Sequence, residues 1–531
     1  TEEESEELKL STRPQLLPNP NITSTDADTR LQIARFSNLS TSDAAIISSS
    51  GVTGTDISKL GADSIDSLMA KIDSTSTLSS AVQFKTLVEV IDAFSNAPVD
   101  PNNAGRRAIS STGDISKIVN SAVENITTDH LLTLEKLDVS HMSTFATDGI
   151  ANIENFTTRV DVTSAMVGNS LDTLDTSKIS TLVENLHNSL DSDSLIALKS
   201  LDKSHMTTLV GSGDSKIDLT LSFDASAIKK SVKKFATKAE VTVTFAKIAG
   251  GDDFSGVDLS VIATQIHASL DDDHLEALQN LSLEHMDAMM PDASELSAGL
   301  NVSHIAHVAT KAEVVVEFAK ASAGTNKDGT VKFSDSFTAT NMKAFVTTVH
   351  THITEDMTKS IALFDPEHMS TLVPTGGTMD QSELEHFGTK AQVGATYFTE
   401  GMSEEARKAM AESVAEKVHT LDKDMTTAFK TLADHSTDIS FGDIVGNISL
   451  DKIHHAGAKA KKTSTFISGG HSVAELKAMA DDLENHVEHL ETLALISQSE
   501  LVDTFAGVDI ATANSERNQH NTSNVHYTGL K

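Results

Sequence analysis

Leu270–Met290, LDDDHLEALQNLSLEHMDAMM, is the stretch on which the reading of this chain turns. Leu275, Leu278 and Leu281 fall three residues apart, the spacing of one helix face. Ser282 interrupts them before Met286 and Met289 begin a second stripe. Asp271–Asp273, ahead of the first stripe, suit an N-cap and a turn. The stretch therefore reads as two short helices joined by a tight turn, with His285-Met286 in the second.

Near-copies recur along the chain: LDSDSLIALKSLDKSHMTTLV from Leu190, ITTDHLLTLEKLDVSHMSTFA from Ile126, and a looser ITEDMTKSIALFDPEHMSTLV from Ile353. A second motif travels with them. It is FATKAEVTVTFAK from Phe235, HVATKAEVVVEFAK from His307 and FGTKAQVGATYF from Phe387, with weaker forms FTTRVDVTSAM from Phe156, FKTLVEVIDAF from Phe84 and AGAKAKKTSTF from Ala456. Aligning Thr86, Thr158, Thr237, Thr310, Thr389 and Ala458 gives intervals of 72, 79, 73, 79 and 69 residues. A fixed period of this size is the mark of tandem structural repeats.

The expected architecture is all-α: six tandem small helical repeats of 70–80 residues. They span 81–152, 153–231, 232–304, 305–383, 384–452 and 453–531, after an extended N-terminal arm and partial cap over 1–80. Each repeat is expected to hold a longer helix, an acidic loop, a second helix and two short helices. A core this small favours stacking on the neighbouring repeats over beads on a string. In the fifth repeat the His-Met pair decays to FKTLADHST around His435; in the sixth, Glu500-Leu501 stands in its place. The β-branched runs VTVTF (241–245), DLTLSF (218–223) and VVVEF (314–318) leave a minor β element open.

Composition narrows the function classes. With 41 Lys and Arg against 76 Asp and Glu the net charge is −35, so nucleic acid is not an expected partner. The absence of Cys excludes disulfides, thiolate zinc sites, iron–sulfur clusters and thioether-linked haem. There is no Trp and only two Tyr, which weighs against an aromatic-lined small-molecule site. No apolar run approaches the ~20 residues that cross a bilayer, so no membrane insertion is expected. No G-x-S-x-G, P-loop, dinucleotide fingerprint or His-Glu-x-x-His pattern occurs, and the chain is not expected to be an enzyme.

Three groups of residues are candidate sites. His187, His205, His267, His274, His285, His350 and His368 could bind a metal or haem without Cys. His187, His267 and His350 each precede the later His by 18 residues, and an ion would be sought first between His267 and His285. The set drifts, with Ser194 where another repeat has His274, and that drift favours a role for His in capping and for Met in the core. Ser322–Asp335, SAGTNKDGTVKFSD, resembles an EF-hand-type calcium loop in part: Asn326, Asp328 and Asp335 match ligand positions, but Gly324 stands where the first Asp belongs. N-x-Ser/Thr sequons occur at Asn21, Asn38, Asn125, Asn155, Asn280, Asn301, Asn447 and Asn521 and mark glycosylation candidates.

The leading expectation is a structural, self-assembling glycoprotein outside the cell or on its surface, with itself as partner in a filament, sheath or surface layer. No cofactor is expected. The alternatives are a repeat protein holding a metal or haem through its histidines, or a calcium-dependent adhesin. The chain opens TEEESEELKLSTRP, which reads as a processed N-terminus or an incomplete chain, and Pro14, Pro18 and Pro20 suit an extended strap onto a neighbouring subunit.

Overall fold

The fold is described from a computed structural model, over residues 39–97, 112–211, 224–292, 296, 300–324, 339–374, 380–467 and 470–484. Among the described residues every regular element is a helix. The chain divides into two compact units, Thr1–Ala268 and Ser269–Lys531.

The first unit opens with three helices, Thr41–Ser50 (α1), Gly54–Lys59 (α2) and Ala62–Lys71 (α3). Thr41 to Lys71, within the expected arm and partial cap, is helical; residues 1–38, where the extended strap was expected, lie outside the described residues. Then come Ser80–Asn96 (α4), Thr112–Asn125 (α5), Thr128–Leu134 (α6) and Val139–Phe145 (α7). The same order follows in Ile153–Val167 (α8), Thr176–Ser189 (α9), Ser192–Lys199 (α10) and Lys203–Val210 (α11), and begins again with Ala225–Gly250 (α12) and Leu259–Ser269 (α13).

In the second unit, Asp272–Leu278 (α14) and Leu283–Asp287 (α15) precede Val302–Ala323 (α16), Ala339–His352 (α17), Glu355–Ile361 (α18) and Pro366–Leu372 (α19). After them come Gln381–Ala395 (α20), Glu404–Val418 (α21), Lys423–His435 (α22), Phe441–Val445 (α23), Ile453–Ser464 (α24) and Val473–Glu484 (α25). Among the described residues no helix is long and apolar enough to cross a membrane.

One packing scheme serves both units. In the first, α8 lies on α6 and on α5, and α12 lies on α10 and on α9. In the second, α16 lies on α14, α20 on α18 and α17, and α24 on α22. The short helices α3, α7, α15, α19 and α23 pack on α5, α9, α17, α21 and α25 respectively. Each long helix is therefore surrounded. Every residue from Phe235 to Ala246 in α12, and from Val308 to Ala319 in α16, is buried.

That burial corrects the β reading. VTVTF and VVVEF are helical, in α12 and α16, while DLTLSF lies outside the described residues. A β-branched residue costs a few tenths of a kcal/mol in a helix, against about 1.5–3 kcal/mol gained by burying its side chain. The threonine hydroxyls are satisfied along the helix: Thr242 donates to the Lys238 carbonyl at 2.7 Å and Thr244 to that of Glu240 at 2.8 Å. A helix buried on all sides has no polar face, so its sequence shows no 3.6-residue alternation.

The fifth segment also departs from its expected register. His435 is the last residue of α22, not a counterpart of the His-Met histidine. The closing short helix is α23, where Asp443 and the buried Ile444 hold the two places.

Candidate functional site

The histidine of His-Met sits three residues into a short helix, at the place where a capping box carries Glu or Gln. In α7 the N-cap Asp138 carboxylate accepts from the His141 backbone N–H at 3.0 Å, and the Asp138 N–H donates to His141 Nδ1 at 3.3 Å. The same reciprocal pair joins Asp202 to His205, Ser282 to His285 and, in the first short helices, Thr127 to His130 and Asp271 to His274. Asn301 and His304 start α16 in this way too. Each N-cap contributes about 1 kcal/mol by satisfying helix N–H groups that have no partner inside the helix. The following Met142, Met206, Met286 and Met369 are buried in the core. His368 is a partial case: Asp365 accepts from its N–H at 3.2 Å, but the carboxylate, 2.5 Å from Nδ1, is misaligned for a hydrogen bond to the ring.

The long helices carry a second recurring feature, a buried cation: Arg159, Lys238, Lys311, Lys390 and Lys459, none more than 6% exposed. Lys311 Nζ donates to the His350 carbonyl at 3.0 Å and lies 3.2 Å from His350 Nδ1, at the C-terminal end of α17. Lys390 Nζ donates to the His419 carbonyl, which caps α21, at 3.1 Å. Lys238 Nζ is 3.1 Å from Nδ1 of His267, in the last turn of α13. Arg159 donates to the Phe145 carbonyl at 3.3 Å and pairs with Asp148 at 2.7 Å. A helix end offers unpaired carbonyls and partial negative charge, which is what a buried cation needs.

The imidazoles extend the joint to the preceding helix. His267 Nδ1 is 3.2 Å from the Leu209 carbonyl, and His350 Nδ1 is 3.1 Å from the Met289 carbonyl. Burial and then the neighbouring cation lower the pKa of His187 (beside Arg159) and of His267 (beside Lys238). Gly211 completes the joint. It has φ +73°, and a Cβ there would run into the His267 ring, so two constraints select glycine.

The candidate histidines are therefore dispersed over separate tasks. His205, His274 and His285 cap helices, His267 and His350 meet buried lysines, and His187 Nδ1 is buried without a hydrogen bond. No hydrogen bond joins His187 to His205 or His350 to His368 among the described residues, and no group of three His, Asp or Glu there has the geometry to hold a metal ion. The calcium candidates Asn326, Asp328 and Asp335 lie outside the described residues, as do sequons Asn21, Asn38 and Asn521. Asn301 and Asn447 are exposed; Asn125, Asn155 and Asn280 are half-buried, with their side-chain NH₂ groups donating to Ser121, Asp148 and Glu276.

No family model, curated protein or solved structure matches the chain. The buried cations and the acids two places after them were not among the residues singled out from sequence. Their signal was present in the Lys-x-Glu of TKAE, two charges held in phase within a stretch dominated by small, apolar and β-branched residues.

Two other histidines give a pH prediction. Burial first, then nearby lysines, keep His307 neutral down to about 4 and His386 down to about 3. The unfolded chain takes up a proton near 6.5, so the stability these groups contribute is present above that pH and is lost as the pH falls through the folded values. His386→Gln removes this loss at one site. Its unfolding midpoint should rise relative to the unsubstituted chain as the pH is lowered from 7 to 4 in a thermal series; a difference that does not change with pH would rule the assignment out.

Proposed function

We propose that the chain is a structural repeat protein, built of six helical repeats that stack through their long helices, and that it assembles with copies of itself outside the cell or on its surface. The observation that carries this reading is the buried cation on successive long helices, tied to the ends of neighbouring helices. Side chains that could serve a ligand are occupied in joints instead.

The helices before the first repeat fit the same scheme. α1, α2 and α3 follow the order of α9, α10 and α11, with Ser64-Ile65 at the place of His205-Met206. α1 packs on α4 and α3 on α5, as a preceding repeat would. A contact that adds one repeat to the next within a chain can in principle add chain to chain, and a head-to-tail contact that does not close produces a fibre. With a net charge of −35 such an assembly should depend on ionic strength and divalent cations, which screen repulsion between chains.

Negative-stain electron microscopy of the full-length protein, at low and physiological salt with and without millimolar calcium, tests this reading. Filaments, sheaths or a lattice are expected under at least the screened conditions. Dispersed single particles in all of them, at protein concentrations up to the solubility limit, would refute it.

A further inference from the structure

Five joints can be compared residue by residue, because each long helix meets the third residue of a preceding short helix. Those partners are His130, Ser194, His274, Met357 and Met425. Two places after the buried cation, the long helices carry Asp161, Glu240, Glu313, Gln392 and Lys461. One place before the threonine or alanine that precedes the cation they carry Thr157, Ala236, Ala309, Gly388 and Gly457. The joints fall into two kinds. Where the partner is His or Ser, the long helix supplies an acid. Where it is Met, the long helix supplies no acid and has a glycine under the Met sulfur, with room for nothing larger.

In the first kind, Asp161 lies 3.1 Å from His130 Nε2, Ser194 Oγ donates to Glu240 at 2.7 Å, and Glu313 lies 3.9 Å from His274 Nε2. Glu240 and Glu313 are 8% and 4% exposed, and among the described residues no Lys or Arg is within ion-pair distance of either. Each also faces the acidic first turn of the helix it packs on. Asp191 and Asp193 from α10 bear on Glu240, and no charged group from α9 or α11 does so. Asp271, Asp273 and His274 from α14 bear on Glu313, with Glu317 from its own helix. On the other helices packed against α16, His350 is engaged with Lys311, Glu355 with Lys359, and Asp365 at the start of α19 bears on Asp273.

We propose that the α10–α12 and α14–α16 joints are proton-operated latches, closed with a proton on Glu240 and Glu313 and loosened when those protons leave. A buried carboxylate with no Lys or Arg beside it, set among aspartates, favours its neutral form; at Glu313 the His274 imidazole works against this, and burial outweighs it. Burial leads in raising Glu240 to about 7 and Glu313 to about 8; the Ser194 hydrogen bond and the His274 imidazole respectively oppose it, and the neighbouring aspartates add to it. The sign follows: the stability each group contributes is fully present below the unfolded value near 4.5 and is lost as the pH rises through 7 and 8. The α18–α20 joint has Gln392 in the acid's place, but burial lowers its own Lys390 to about 8, so the E240Q and E313Q chains supply the reference instead. The latch rests on packing within each compact unit and holds whether or not the chain polymerises.

Hydrogen exchange of the full chain, read by mass spectrometry between pH 6 and 9 and corrected for intrinsic rates, tests it. Amides of α10, α12, α14 and α16 should lose protection by about tenfold or more across this range, since each unit of pKa shift is tenfold in the opening equilibrium. E240Q and E313Q should each abolish the loss at their own joint. Protection of α10, α12, α14 and α16 that stays constant from pH 6 to 9 in the unsubstituted chain would overturn the proposal without need of a variant, and so would a loss that survives E240Q or E313Q. Neither outcome bears on the microscopy, so failure here and failure of the assembly reading are separable.

Discussion

Lys311→Met is expected to destabilise the second compact unit by about 2 kcal/mol, because it leaves buried acceptors without a donor. Lys311 is 2% exposed, and its ammonium reaches the His350 carbonyl at 3.0 Å and lies 3.2 Å from the imidazole of the same residue. Methionine keeps most of the side-chain volume, so little of the effect comes from a cavity. The loss of a charged donor to a buried helix-end carbonyl costs about 1.5–3 kcal/mol, and release from holding a charge out of water offsets part of it. An exposed lysine sets the scale. Lys359 pairs with Glu355 at 2.9 Å with both side chains more than half exposed, so solvent screens the pair and Lys359→Met should leave stability nearly unchanged. Urea denaturation of both variants decides the matter. Equal, small effects would mean that the buried cation does not hold the joint.

The parts of this fold that could be read from the sequence are those where local chemistry dictates local geometry. Asp138, Asp202, Asp271 and Ser282 are N-caps because a short polar side chain can accept from the first free N–H groups of a helix, and that preference needs no tertiary contact. The apolar stripe Leu275, Leu278 and Leu281 is buried for the same local reason of spacing. VTVTF was ambiguous because α12 is enclosed on all sides, so tertiary burial, not periodicity, fixes its helix.

The His-Met pair, whose capping and core roles the drift of its His already favoured, hid only its register in the fifth repeat. The third residue of a capping box needs only an acceptor, and His141, His205 and Asp443 all supply one. Residue identity alone therefore failed to register the fifth repeat, which turned on His435 in the sequence and on Asp443 in the structure. The pairing of Gly388 with Met357 and of Gly457 with Met425 depends on helices 31 and 32 residues apart in the chain. No local rule could have shown it.

That pairing supports the second large effect, expected for Gly457→Ala. A Cβ there would lie 2.5 Å from the Met425 sulfur, 2.7 Å from its Cγ and 3.0 Å from its Cβ. The approach to Met425 Cβ means that rotating the end of the methionine gives no relief, and α22 and α24 must move apart. Overpacking of this kind costs about 1–3 kcal/mol, and the better helix propensity of alanine returns up to about 1 kcal/mol. A net loss of about 2 kcal/mol is expected, against the usual expectation that Gly→Ala in a helix stabilises. Met425→Ala alone should cost about 3 kcal/mol through the cavity it leaves.

The double-mutant cycle on these two residues tests most directly whether successive repeats are held by complementary joints. In the chain carrying both Gly457→Ala and Met425→Ala, the new methyl has the space that the methionine vacates. The combined loss should then fall short of the sum of the single losses by about 2 kcal/mol, within the range seen for residues in contact. Losses that add to within about 0.5 kcal/mol would mean that the two side chains do not meet, and that the stacking of one repeat on the next is not as described.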